Sequence, residues 1–174
     1  MSTVIPSKVT LDIKEEIKDF LYEEAFLLDN RMYNEWLDLL DENISYKMPL
    51  RETVQGVGVN DIVEDMSFFD ETKTSLTTRV KRLYTKSAWV ENPATRQRHY
   101  ISNIKVRGTS NPNEFSVRSY FLYKRTRGSN HEIEQMTGQR YDILRKENDE
   151  WKIISRTIYA DQAVITTMNM SMFL

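Results

Sequence analysis

Cysteine is absent from this chain. That excludes disulfides, thiolate zinc sites, a catalytic thiol and any cysteine-held iron–sulfur cluster. Histidine occurs only as His99 and His131. An iron site of two histidines and one carboxylate would need both, about thirty residues apart, with an acid suitably placed. The spacing supports no such arrangement, and the chain reads as metal-free. With only 5 glycines there is no Gly-rich loop to cradle a phosphate. No apolar run approaches the roughly 18 residues that a membrane helix needs. The start, MSTVIPSKVT, lacks a basic stretch followed by an apolar one, so no signal peptide is expected. A cytoplasmic location follows, with no membrane partner.

What is present is a globular composition, 40% apolar and 29% charged over 174 residues, which predicts a single domain over 1–174. The net charge of −2 hides an asymmetry. Residues 1–75 hold 7 Lys and Arg against 17 Asp and Glu, whereas residues 76–174 hold 17 against 9. These halves are either two solvated faces or complementary surfaces on which subunits meet.

Apolar residues recur at helical spacing from Leu11 to Leu28, with Glu15, Glu16, Asp19 and Glu23 opposite. Asp29 and Asn30 are expected to cap a short second helix carrying Tyr33, Trp36, Leu37 and Leu40. Alternation predicts a strand over 43–50, then a loop over 51–69 with a short helical piece near Asp61–Met66. Asp70 is expected to cap a third helix running to about Thr85. After Asn92-Pro93 the period becomes two, giving strands at about 97–108, 114–126, 132–146 and 150–160 in an antiparallel meander. Helices first and a long curved sheet afterwards make an α+β fold, a sheet curled into a cone around helices. A cone encloses space, so a small-molecule pocket must be considered.

Paired acids (Glu15-Glu16, Glu23-Glu24, Asp41-Glu42, Glu64-Asp65) fall on expected helix surfaces or loops and read as solvated faces. The basic strand region interleaves Tyr100, Tyr120, Tyr123 and Tyr141 with Arg107, Arg118, Arg125 and Arg140. Such mixtures serve single-stranded nucleic acid, but aromatics favour strands anyway. A sequence pI of 5.8 and the lack of a binding motif argue against nucleic acid. His99 faces away from Arg98 and Tyr100; it is either a general base or a histidine satisfied in a core or interface. Gln162 to Leu174 carries no charge, and from Met168 the apolar groups alternate: Met168, Met170, Met172 and Leu174 on one face, Asn169, Ser171 and Phe173 on the other. Such an end packs on its own core or on another subunit.

The segment RQRHYISN (96–103), the strand GQRYDILR (138–145) and the ending DQAVIT (161–166) resemble the small (β) subunit of Rieske-type aromatic-ring-hydroxylating dioxygenases. The likeness extends over about residues 10–174, and its nearest look is that of the biphenyl, cumene and phenylpropionate groups. The resemblance implies the cone-shaped fold shared with nuclear transport factor 2 (NTF2), and an α3β3 hexamer with the large (α) subunit. It implies that the α subunit holds the Rieske [2Fe-2S] cluster and the mononuclear Fe(II). Ferredoxin and reductase components would bring electrons from NAD(P)H to that subunit for cis-dihydroxylation of an arene. This chain would be the structural, non-catalytic member, with no catalytic, cofactor or metal residues of its own. Arg96, Arg98, His99, Met168, Met170, Met172 and Leu174 are the expected subunit-interface residues. Alternatives are a small-ligand-binding module and a cofactor-free cone-fold dehydratase or isomerase. The enzyme reading would draw on His99, Tyr46, Tyr33 and Trp36 and needs a carboxylate paired with His99.

Overall fold

The computed structural model describes residues 8–56, 58–85, 94–128, 132–167 and 169–174. Its elements are α1 (Leu11–Asp29), α2 (Tyr33–Asp38), β1 (Leu40–Arg51), β2 (Ile62–Glu71), α3 (Lys73–Leu83), β3 (Arg96–Gly108), β4 (Glu114–Thr126), β5 (Glu134–Glu147) and β6 (Glu150–Ala160). The six strands form one sheet in the order β2-β1-β6-β5-β4-β3. β3 to β6 make the expected antiparallel meander, β1 joins β6 in parallel, and β2 closes the far edge antiparallel to β1.

Local chemistry explains the boundaries. The Thr10 hydroxyl accepts from the Ile13 amide at 3.2 Å and starts α1. Asp29 and Asn30, expected to cap α2, instead end α1. Asn30 is its C-cap, and Arg31 follows with a φ of 61°. Arg31 and Met32 amides donate back to the Leu28 and Leu27 carbonyls at 3.1 and 2.9 Å, a Schellman ending built without glycine. Thr72, not Asp70, caps α3, through a reciprocal pair with Ser75, and the helix stops at Leu83. Asn148 and Asp149, with φ values of 50° and 63°, turn β5 into β6 in two residues, the geometry that suits strand twist.

The helical piece expected near Asp61–Met66 is instead strand β2, which from Ile62 takes over the second half of the expected loop. It pairs with β1 from Arg51↔Ile62 to Tyr46↔Glu71, with register shifts beside Pro49. β2 is an edge strand, and acids on an edge discourage pairing with other chains, so the alternation that betrays a strand is diluted there.

The core lies between the helices and the inner sheet face. Ile17, Leu21 and Leu28 of α1, Trp36, Leu76 and Val80 meet Tyr46, Met48, Val117, Tyr123, Leu144, Ile153 and Ile158. Met172, Phe173 and Leu174 join them, each 2% exposed or less.

Candidate functional site

The inner face of the sheet sets a row of polar groups inside the cone. Strand register aligns Tyr46, Arg156, Asp142 and Val117 across β1, β6, β5 and β4, with Arg140 beside Ser119 in the next row but one. α1 supplies the remaining charge. Ile17, Leu21, Glu24 and Leu28 repeat at helical spacing and share its buried face, so Glu24 lies where an apolar residue is expected. The reading of Glu23-Glu24 as a solvated pair is therefore corrected: Glu24 is wholly buried.

Arg156 organises this cluster. Its Nε and Nη2 donate to the two Asp142 carboxylate oxygens at 2.8 and 3.0 Å. Nη1 and Nη2 donate to the two Glu24 oxygens at 2.5 and 2.8 Å, and Nη1 also donates to the Leu174 main-chain oxygen at 3.0 Å. All five guanidinium N–H groups are thereby engaged. Trp36 Nε1 adds a 3.1 Å bond to Glu24, and Arg140 stands 3.4 Å from it. Burial alone would raise the Glu24 pKa, but the Arg156 and Arg140 charges and the bonds from Arg156 and Trp36 outweigh it and hold it at about 2. Burial, reinforced by the Arg156 charge, lowers the Arg140 pKa, and burial raises that of the Tyr46 phenol. Among the side chains of the cluster, two acids face two guanidiniums. A carboxylate locked in the ionised form by bidentate arginine cannot shuttle protons near neutral pH.

His99 has the carboxylate partner that an enzyme reading demands, and the partner comes from α1. Asp29 Oδ1 lies 2.7 Å from Nδ1, and Asp29 also accepts from the His99 amide at 3.1 Å. Seventy residues separate the two, so no local sequence pattern announces the pair. The ring is only 2% exposed, and its Nε2 donates to the Phe173 carbonyl at 2.8 Å. Both ring nitrogens are thus used within the chain.

The tail fills the rest of the cone. It forms no ladder and does not alternate, because Met172, Phe173 and Leu174 are buried in succession, surrounded on all sides rather than lying on a sheet. Its main-chain oxygens are taken by side chains: Met170 and Met172 by Arg79 Nη2 at 2.8 and 2.9 Å, Leu174 by the Tyr46 hydroxyl at 2.8 Å. The Phe173 ring sits 4.5 Å from Trp36 and 5.5 Å from Tyr33. Tyr33, Trp36, Tyr46 and His99, the residues that sequence placed in a pocket, do come together, but around the chain's own tail.

Of the expected interface residues, His99, Met172 and Leu174 are internal, Met170 is half-buried and Met168 lies outside the described residues, as does His131. Arg96 and Arg98 are exposed on edge strand β3. A groove of about 810 Å³ lined by Lys47, Arg51, Asp61, Tyr141 and Tyr159 opens on the other face of the sheet, away from the buried cluster. Among the described residues no three His, Asp or Glu side chains converge to hold a metal ion, and no helix is long and apolar enough to cross a membrane. Without cysteine, this donor set does not fit a Rieske cluster.

Solved structures share this architecture. A chain of naphthalene 1,2-dioxygenase with indole bound in the active site is 22% identical, with a TM-score of 0.84 over 96% of this chain and 88% of that one. The beta subunit of benzoate 1,2-dioxygenase from Burkholderia mallei is 22% identical, with a TM-score of 0.70 over 89% and 93%. ActVI-ORFA from Streptomyces coelicolor is 14% identical, with a TM-score of 0.65 over 89% and 99%. The fold is the expected cone of the NTF2-like type. The family model described as ring hydroxylating beta subunit matches residues 23–167. That match spans most of the chain, including α2, α3 and every strand of the sheet, and the protein belongs to the ring-hydroxylating beta-subunit family.

Proposed function

We propose that this chain is the non-catalytic, single-domain member of a cytoplasmic α3β3 terminal oxygenase. Its role as structural subunit of an aromatic-ring dioxygenase follows from its family. The observation that carries the non-catalytic reading is the filled cone: arginines saturate the buried carboxylates, and the tail occupies the remaining space. The large subunit then holds the Rieske cluster and the mononuclear Fe(II) and receives electrons from NAD(P)H through ferredoxin and reductase components. There the arene and both atoms of O2 are joined as a cis-dihydrodiol. Arg96 and Arg98, exposed on edge strand β3, are proposed interface residues with Met168 and Met170. His99, Met172 and Leu174 support that surface from within.

The test is co-expression with the large subunit of the same system. A stable complex of mass near three of each chain is expected, with all iron in the large subunit and turnover lost when that subunit's iron ligands are changed. Iron retained by this chain alone, or a complex of other stoichiometry, would refute the reading.

A second reading rests on the His99–Asp29 pair, which a cofactor-free dehydratase or isomerase would use. It requires Nε2 to face a substrate, whereas here Nε2 faces the Phe173 carbonyl.

A further inference from the structure

We propose that the interior of the cone is a recognition cleft for an aromatic ring joined to main-chain carbonyl acceptors. Residues 169–174 are its resident peptide ligand, held in cis. The inference does not depend on the dioxygenase role.

The tail is bound the way a peptide is bound by a receptor. Its backbone joins no strand; instead, side chains from β1, α3, β3, β4 and β6 reach it. Arg79 Nη2 holds the Met170 and Met172 carbonyls, His99 Nε2 the Phe173 carbonyl, and Arg156 with Tyr46 the Leu174 oxygen. The Leu174 amide donates to the same Tyr46 hydroxyl at 2.7 Å. Further out, Arg125 Nη1 reaches Asn169 Oδ1 and Ser171 Oγ, each at 3.1 Å. The Phe173 ring is caged by Trp36, Tyr33 and the Arg79 guanidinium, which lies 4.7 Å from its centroid.

What makes this a cleft rather than merely packing is that its walls are fixed without the tail. Arg156 is held by Asp142 and Glu24, Arg79 by Glu71, Arg125 by Glu134, His99 by Asp29, and Trp36 by Glu24. These five side chains are tied to residues of the body, whereas the Tyr46 hydroxyl bonds to Leu174, and a set of donors so largely preorganised binds with little ordering cost. The tail is joined to β6 by a strap over 161–167 in which Asp161, Val164 and Thr166 are exposed, Val164 by 75%. The strap is tether enough to keep the ligand at high effective concentration.

The experiment places a protease recognition sequence in the strap, between Ala163 and Val164, and first verifies that the uncut chain melts like the parent. After cutting, the body should keep a cooperative transition with the tail fragment retained non-covalently. A fluorescent peptide of residues 169–174 should then replace the fragment saturably, and the Phe173→Ala peptide should compete roughly a hundredfold more weakly. A cut body that loses its transition, or one that stays folded and never takes up the peptide, overturns the proposal. If the insertion itself prevents folding, hydrogen exchange on the unaltered chain decides. The Ser171 and Leu174 amides should exchange by an opening that leaves β4, β5 and β6 protected. Exchange only together with those strands means the tail is core, not ligand.

Discussion

Arg156 and Asp142 face each other across the β5–β6 pair and share two parallel hydrogen bonds of 2.8 and 3.0 Å, with no access to solvent. Their register, Asp142↔Arg156, follows from the two-residue turn at Asn148-Asp149 together with the shift between Ile143 and Leu144. The same guanidinium then bridges to Glu24 on α1, so a sheet contact also anchors a helix.

Arg156→Met is expected to destabilise the chain by roughly 3–5 kcal/mol, because it leaves Asp142 and Glu24 buried without their main counter-charge. Urea unfolding followed by tryptophan fluorescence measures this. Adding Asp142→Leu, Glu24→Leu and Arg140→Met to the same chain, so that no charge of the cluster stays buried alone, should recover most of the loss. If the quadruple variant is no better than the single one, charge burial is not the cause.

Acid should weaken the fold through Glu24. Its folded pKa of about 2 lies below the 4.5 of an unperturbed carboxyl, so between these values the unfolded chain binds more protons than the folded one. The contribution is complete above about pH 4.5 and is lost as pH falls towards 2; its size is on the order of 3 kcal/mol. Unfolding free energies measured from pH 6 to pH 2 should fall more steeply for the parent than for Glu24→Gln. Parallel curves for the two chains would show that another carboxylate carries the acid sensitivity.

Much of this architecture is legible from the residues. The meander strands β4 and β6 end where alternation and turn residues say they should, since Phe115, Val117, Phe121 and Tyr123 in β4, and Trp151 with Ile153 and Ile158 with Ala160 in β6, keep the two-residue spacing of a half-buried sheet. β2 is not legible, because an edge strand rich in acids has no clean inward face. Glu24 is legible in part: its spacing from Ile17, Leu21 and Leu28 puts it on the core side of α1, and only the habit of treating adjacent acids as surface conceals it. The Asp29–His99 pair and the Arg79 clasp on the tail join residues far apart in the chain, and no local pattern encodes them.

Gly138 marks a close approach between strands. A Cβ there would lie 2.2 Å from the Tyr159 carbonyl and 2.9 Å from the Phe121 ring. The ring can give way, but the carbonyl belongs to the ladder that pairs Gly138 with Ala160. Gly138→Ala should therefore cost about 1–3 kcal/mol or more through overpacking. Calorimetric melting checks this, and an unchanged melting temperature would mean that β5 and β6 separate there at little cost.

The last prediction concerns assembly with the large subunit. Arg96 and Arg98 alternate with the buried Gln97 on β3 and so lie on the exposed face of the sheet's edge strand. As solvated charges they would contribute little, under about 1 kcal/mol each. Packed against carboxylates or carbonyls of a partner they would matter far more, because a planar guanidinium fork satisfies two acceptors at once. Truncating one buried member of such a pair costs roughly 2–5 kcal/mol of association, mostly by stranding the other. Arg98→Ala should accordingly leave the isolated chain's melting temperature unchanged while lowering the yield of complex in co-expression. The complex that does form should turn over nearly normally per iron, since the chemistry lies in the other subunit. Lys at the same position should restore yield only in part, lacking the fork. Full assembly with abolished turnover would instead place Arg98 in the electron or substrate path and remove the reason for treating this edge as a docking surface alone.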